Sequence, residues 1–139
     1  MESQTEIWRV PDILIVHLKR FYFKDGVMKK IKNPVHFPID NFDVASWMLS
    51  TEKTAGLTQA TSKDNYTFEL YGVVNHAGNA RRGHYTCCCY NAELETWLEY
   101  DDEQVFQISD PAGLVTPNAY ILFYRRQRFA SSNVINLSL

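Results

Sequence analysis

A mainly β fold, one antiparallel sheet with little helix, is predicted by three features of the chain. "ILIV" (13–16) is an uninterrupted apolar run that leads to an Asp-Gly turn. "YTFELYGVV" (66–74) alternates on the period of a strand, and "AYILFYRR" (119–126) is an aromatic strand. The 139 residues are 45% hydrophobic and 14% aromatic, enough to fill the core of about one domain.

Taken in order, "PDILIVHLKRFYF" (11–23) opens with the pattern of a strand buried on both faces. Asp25-Gly26 closes a hairpin, because both central residues tolerate a positive φ, and "MKKIKNPVHFP" is the return strand. "DNFDVASWML" (40–49) is predicted as a short helix with Asp40, Asn41 or Asp43 as N-cap, and the polar stretch 50–65 as a surface loop. "NHAGNARRG" (75–83) reads as a turn-rich loop, followed by strand "HYTCCCY", turn "NAELET" and strand "WLEY". Pro111 and Pro117 mark a loop before the last strand, and residues 127–139 form a weakly patterned tail.

A net charge of −2 carries no polyelectrolyte signature and argues against a nucleic-acid partner. No apolar run reaches the roughly 18 residues of a membrane span, and the N-terminal stretch has no secretory pattern. The cysteines are Cys87, Cys88 and Cys89, contiguous and therefore poorly placed for an ordinary disulfide, which predicts a reducing compartment. Alternation along a strand also keeps the three from converging on zinc. No metal or cofactor is implied.

The residue types of a thiol protease nevertheless occur close together. His84 stands at the start of one predicted strand and Asp101 at the end of the next, so a hairpin between them brings the two ends side by side. An aspartate there would hold the imidazole in one tautomer and stabilise its cation. The alternative is a surface histidine beside two solvated turn aspartates, and spacing alone leaves both open. The cysteines are poor nucleophile candidates. Cys88 shares a face with His84, but four residues of strand place them roughly 13 Å apart. A buried thiol serving as a small hydrophobe fits better. No Gly-x-Ser-x-Gly elbow is present, and Ser46 and Ser50 lack a motif around them.

Five blocks in order, "ILIVHLKRF", "YGVVNHAG", "GHYTCCCY", "WLEYDDEQV" and "AYILFYRR", resemble the C-terminal half of the ubiquitin-specific protease catalytic domain. "IWRVPDILIVHLKRF" with "FPIDNFD" is similar to the branch with a zinc-ribbon finger insert. The resemblance implies the palm part of an α+β papain-like fold over residues 1–126, without its cysteine box or fingers. It implies a cysteine protease that cuts after the C-terminal glycine of ubiquitin. His84 becomes the base, Asp101 its orienter and Asp102 a supporting group; Gly83, His76 and Tyr85 line the channel for the ubiquitin tail. Ubiquitin, ubiquitinated proteins and a cysteine-bearing N-terminal half of the domain are the implied partners, in a cytoplasmic or nuclear setting. The chain alone is expected to be inactive, and a non-catalytic ubiquitin-binding or scaffold fragment is the alternative.

Arg81 and Arg82 depart from a glycine-rich loop and are expected to face solvent. His17 reads as a buried structural histidine. Lys19, Arg20, Lys24, Lys29, Lys30 and Lys32 read as a solvated basic face.

Overall fold

The structure is a computed structural model, which describes residues 5–48 and 66–127. The predicted loop 50–65 and the tail from 128 lie outside those residues. The described residues form nine strands: β1 (Ile13–His17), β2 (Phe21–Lys24), β3 (Val27–Lys30), β4 (Phe42–Asp43), β5 (Thr67–Gly78), β6 (Gly83–Asn91), β7 (Thr96–Asp101), β8 (Gln104–Ile108) and β9 (Ala119–Arg126). The main sheet runs β1-β9-β5-β6-β7-β8, with β4 also on β5, and β2-β3 is a separate hairpin. Every pairing between these strands is antiparallel. The expected mainly β architecture with little helix is what forms.

Strand alternation explains the core. Along β9, Ala119, Leu122 and Tyr124 are buried, while Tyr120, Ile121 and Phe123 are half-buried. Phe68 and Val73 on β5, Cys88 on β6 and Trp97 on β7 extend the same core, which Val44, Met48 and Leu114 cover. The Tyr124 hydroxyl, though deep in this core, donates to the Pro38 carbonyl at 2.7 Å, so its one polar atom is satisfied. Two irregularities punctuate the β5–β9 ladder, between Leu70 and Gly72 and between Val74 and Asn75. The second falls where Tyr120 stands out of register on β9, and such irregularities re-aim the side chains around them.

Several local expectations are corrected. The apolar run of β1 is not buried on both faces: Ile13 and Ile15 are 46% and 58% exposed, while Leu14 and Val16 on the other face pack against the core. His17 is likewise exposed and stacks edge-on against Tyr120. The return strand stops at Lys30, and in place of a helix over 40–49 the described residues form the two-residue β4 and a 3-10 turn, Ala45–Trp47. The Asp43 carboxylate does accept from the Ala45 N–H at 2.8 Å, as a local turn bond. The loop 75–83 shrinks to a tight turn over 79–82, because β5 continues through Gly78 and β6 begins at Gly83.

The basic face is not wholly solvated either. Arg20 is 2% exposed; its Nε donates to the Ala119 carbonyl at 2.8 Å and its Nη1 to the Asn33 carbonyl at 2.5 Å. A planar fork of donors suits a set of converging carbonyls, and here it ties the chain after β3 to β9. Lys30 in turn donates from Nζ to the His76 carbonyl.

Candidate active site

The β5–β6 hairpin pairs Gly78 with Gly83 and Ala77 with His84. Its turn is held by Asn79, whose side-chain oxygen accepts from the N–H groups of Arg81 and Arg82 at 2.9 and 3.0 Å. Gly78 sits at φ +97°, a conformation that favours glycine. Arg81 and Arg82 are therefore confined to a short exposed turn, as expected for solvent-facing residues.

β7 runs back beside β6 and ends at Asp101; a two-residue turn then leads to β8, with Asp102 at φ +50°. Aspartate tolerates this left-handed position better than most residues. The turn thus accommodates Asp102 and leaves Asp101 as the last strand residue, on the same sheet face as His84. The His84 Nε2 and the Asp101 Oδ1 meet at 2.5 Å, with both side chains about half exposed. The hydrogen bond to Asp101 raises the His84 pKa above its ordinary value, as do the charges of Asp101 and Asp102; desolvation opposes them. Because Nε2 is engaged, Nδ1 remains for a second partner.

Ligand atoms of His84, Asp101 and Asp102 lie within 4.8 Å of one another. Two of the three are already joined to each other, so the trio is a hydrogen-bonded dyad with an acidic neighbour.

The other predicted site residues form a layer on the opposite face of β6. His76 is 4% exposed and packs against Tyr85, Phe21 and Tyr120 with ring centroids 4.8, 5.5 and 5.9 Å away. Burial, and then the Lys30 charge, lower its pKa, so it is held as the neutral imidazole. Its Nδ1 is buried with no hydrogen-bond partner among the described residues. A Cβ on Gly83 would lie 2.0 Å from His76 Nε2. The space at Gly83 is thus filled on one side by His76, and of the three residues His76 is buried while Gly83 and Tyr85, the latter 56% exposed, present the surface.

Residues not singled out from sequence complete the strand centre. The Thr86 hydroxyl donates to Glu99 Oε1 at 3.1 Å, and Asn75 Nδ2 reaches Thr86 Oγ1 and Cys88 Sγ, each at 3.5 Å. Their shared face follows from the β5–β6–β7 register, which period-2 patterning alone does not reveal.

The thiols behave as buried groups. Cys88 is 3% exposed, and burial pushes its pKa up to about 11; burial and the neighbouring thiols push Cys87 up to about 12. Both carry their protons at neutral pH, the wrong state for a nucleophile. Away from this site, a cleft lined by Glu69, Tyr90, Glu95, Trp97, Ile108 and Arg125 lies at the opposite end of β6 and β7.

Comparison with known proteins agrees with this architecture. The family model "Ubiquitin carboxyl-terminal hydrolase" matches residues 2–124. Over 124 residues the chain is 35% identical to ubiquitin carboxyl-terminal hydrolase 8 of Arabidopsis thaliana, covering 89% of this chain and 13% of that protein. It is also 35% identical to ubiquitin carboxyl-terminal hydrolase 31 of Homo sapiens, covering 96% of this chain and 11% of the relative. Among solved structures, the Ubp8-Sgf11-Sgf73-Sus1 SAGA DUB module superposes with a TM-score of 0.70 at 27% identity, over 88% of this chain and 26% of the matched chain. A SAGA DUB module bound to ubiquitin aldehyde gives a TM-score of 0.69 at 27% identity, over 88% of this chain and 26% of the matched one. The mostly antiparallel β fold is that of the ubiquitin-specific protease structures it matches. The chain belongs to the ubiquitin carboxyl-terminal hydrolase family, a family of cysteine peptidases, and spans about an eighth of the curated relatives just described.

Proposed function

We propose that this chain supplies the histidine and aspartate of a deubiquitinating site that hydrolyses the isopeptide or peptide bond after the C-terminal glycine of ubiquitin. The observation that carries the reading is the 2.5 Å contact between His84 Nε2 and Asp101 Oδ1, which leaves Nδ1 free to take a thiol proton. His84 is the general base, Asp101 fixes its tautomer, and Asp102 adds negative charge that favours the imidazolium. Nδ1 takes the thiol proton, the thiolate so formed attacks the glycine carbonyl, the leaving amine takes a proton from His84, and water hydrolyses the resulting thioester. Tyr85 and Gly83 offer the exposed wall for the ubiquitin tail, with His76 packed beneath them.

The nucleophile comes from a cysteine outside this chain's own three, on a partner segment that completes the site. Support comes from the separation along β6 and from the raised pKa values of Cys87 and Cys88. The free thiols fit a reducing cytoplasmic or nuclear setting. The test is cleavage of a fluorogenic ubiquitin C-terminal amide. Pure chain is expected to give no turnover and the chain assembled with a cysteine-bearing segment to give turnover; cleavage by the pure chain would overturn the assignment.

A further inference from the structure

Cys87 and Cys89 are two residues apart on β6, so they project from the same face, opposite to His84 and Cys88. Their Sγ atoms lie 3.3 Å apart and both residues are half-buried. On the flanking strands, Cys87 stands opposite Val74 and Tyr100, and Cys89 opposite Gly72 and Leu98. Gly72 contributes no side chain beside Cys89, and the Phe123 side chain lies over that glycine, 3.6 Å from where a Cβ would stand. None of these neighbours is a carboxylate, imidazole or thiol.

A disulfide suits this geometry poorly. Residues i and i+2 of a strand stand about 6.6 Å apart, close to the upper limit for a bridge, and their Cβ vectors run parallel instead of converging. Chelation by both sulfurs asks for less movement. Two thiolates on one tetrahedral zinc, with bonds of about 2.3 Å, stand about 3.8 Å apart, within half an ångström of the spacing found here. A four-ligand structural zinc site is not available, since the surroundings offer two sulfurs and apolar or phenolic groups. A soft centre that is satisfied by two sulfurs matches both the spacing and the donor count.

We propose that Cys87 and Cys89 form a chelating dithiol on β6 that captures a thiophilic metal or metalloid centre through both sulfurs, with Cys88 excluded. For a trivalent arsenical, R–As=O, two S–H bonds and the As=O bond break. Two As–S bonds form and water leaves, with no change of oxidation state. The two thiol protons leave in that water, so arsenical capture releases no net proton; a metal cation would instead send both protons to solvent, and since burial holds them on, that capture strengthens as pH rises.

The probe is phenylarsine oxide on the folded wild-type chain, followed by intact mass spectrometry. One equivalent is expected to bind. After denaturation, alkylation should mark Cys88 alone, and release with excess small-molecule dithiol followed by a heavy alkylator should mark Cys87 and Cys89. Because this mapping uses the wild-type chain, it does not depend on any variant folding. Cys87→Ser and Cys89→Ser should each weaken capture at least tenfold, and Cys88→Ser should leave it unchanged. Absence of an adduct, or protection of Cys88 together with either neighbour, would overturn the proposal.

Discussion

The imidazole of His76 occupies the space that a side chain at Gly83 would need, with Nε2 only 2.0 Å from the position of a Cβ. The nearby Ala77 carbonyl oxygen, 2.8 Å from the same point, is backbone and cannot rotate away. Gly83→Ala is therefore expected to destabilise the chain by about 1–3 kcal/mol, the usual cost of overpacking. His76→Ala in the same chain should recover part of that loss, and only part, because the backbone clash remains. A double-mutant cycle in urea measures the coupling; strictly additive effects would show that His76 and Gly83 do not share this space.

The two histidines of the hairpin should titrate in opposite directions. His84 is raised chiefly by its hydrogen bond to Asp101, so the stabilisation is fully present below the ordinary histidine value of about 6.5 and fades as pH rises through the folded-state value. His76 is lowered by burial, so protonation works against folding as pH falls below the ordinary value. NMR titration of ring protons should give midpoints on either side of that value. Asp101→Asn should bring the His84 midpoint down and leave His76 where it was.

The strands that were legible in the sequence are those whose alternation reports one buried face. β5 and β9 are of this kind, and the placement of His84 and Asp101 followed from hairpin counting alone. β1 misled because an apolar run signals burial without saying against what; in the sheet it has β9 on one edge and bare isoleucines on its face. Arg20 was misread for the converse reason. A cation after an apolar run reads as surface unless the carbonyls that converge on it are known, and Ala119 lies 99 residues further along the chain. The filling of Gly83 by His76 was illegible too, since it depends on a diagonal contact across a particular register.

Arg20 is expected to be among the costlier positions to change. Arg20→Lys keeps the charge but cannot reach the carbonyls of Ala119 and Asn33 together; a carbonyl left unpaired in the interior, as that of Ala119 would be, costs about 1–3 kcal/mol, and the bond to exposed Asn33 is lost besides. A loss of about 2–4 kcal/mol in urea unfolding follows, larger than for Lys29→Ala on the exposed side of the same hairpin. Equal losses for the two would mean that the fork of Arg20 contributes nothing beyond its charge.

Ile15, 58% exposed on β1, should accept a charge at little cost. Ile15→Lys is expected to shift stability by no more than about 0.5 kcal/mol while reducing self-association, since a lysine on an edge strand discourages further pairing. Sedimentation velocity across a concentration series reads the second effect. A loss of several kcal/mol would instead show that Ile15 is packed in solution.

The remaining prediction concerns chemistry. In an assembly that contains the nucleophilic cysteine, His84→Ala should lower turnover of a ubiquitin amide by roughly 10²–10⁴-fold, the range for loss of a positioned general base. Asp101→Asn should also lower it, with a larger effect on kcat than on KM, because an amide can still bond to Nε2 but cannot stabilise the imidazolium by charge. Asp102→Asn should have a smaller effect, since Asp102 acts on His84 through charge and not through a hydrogen bond. Neither Asp101→Asn nor Asp102→Asn should change the melting temperature, as the contact between His84 and Asp101 is half exposed and contributes little to folding. If Asp102→Asn proved the more damaging of the two, the orienting role would pass from the last residue of β7 to the turn that follows it.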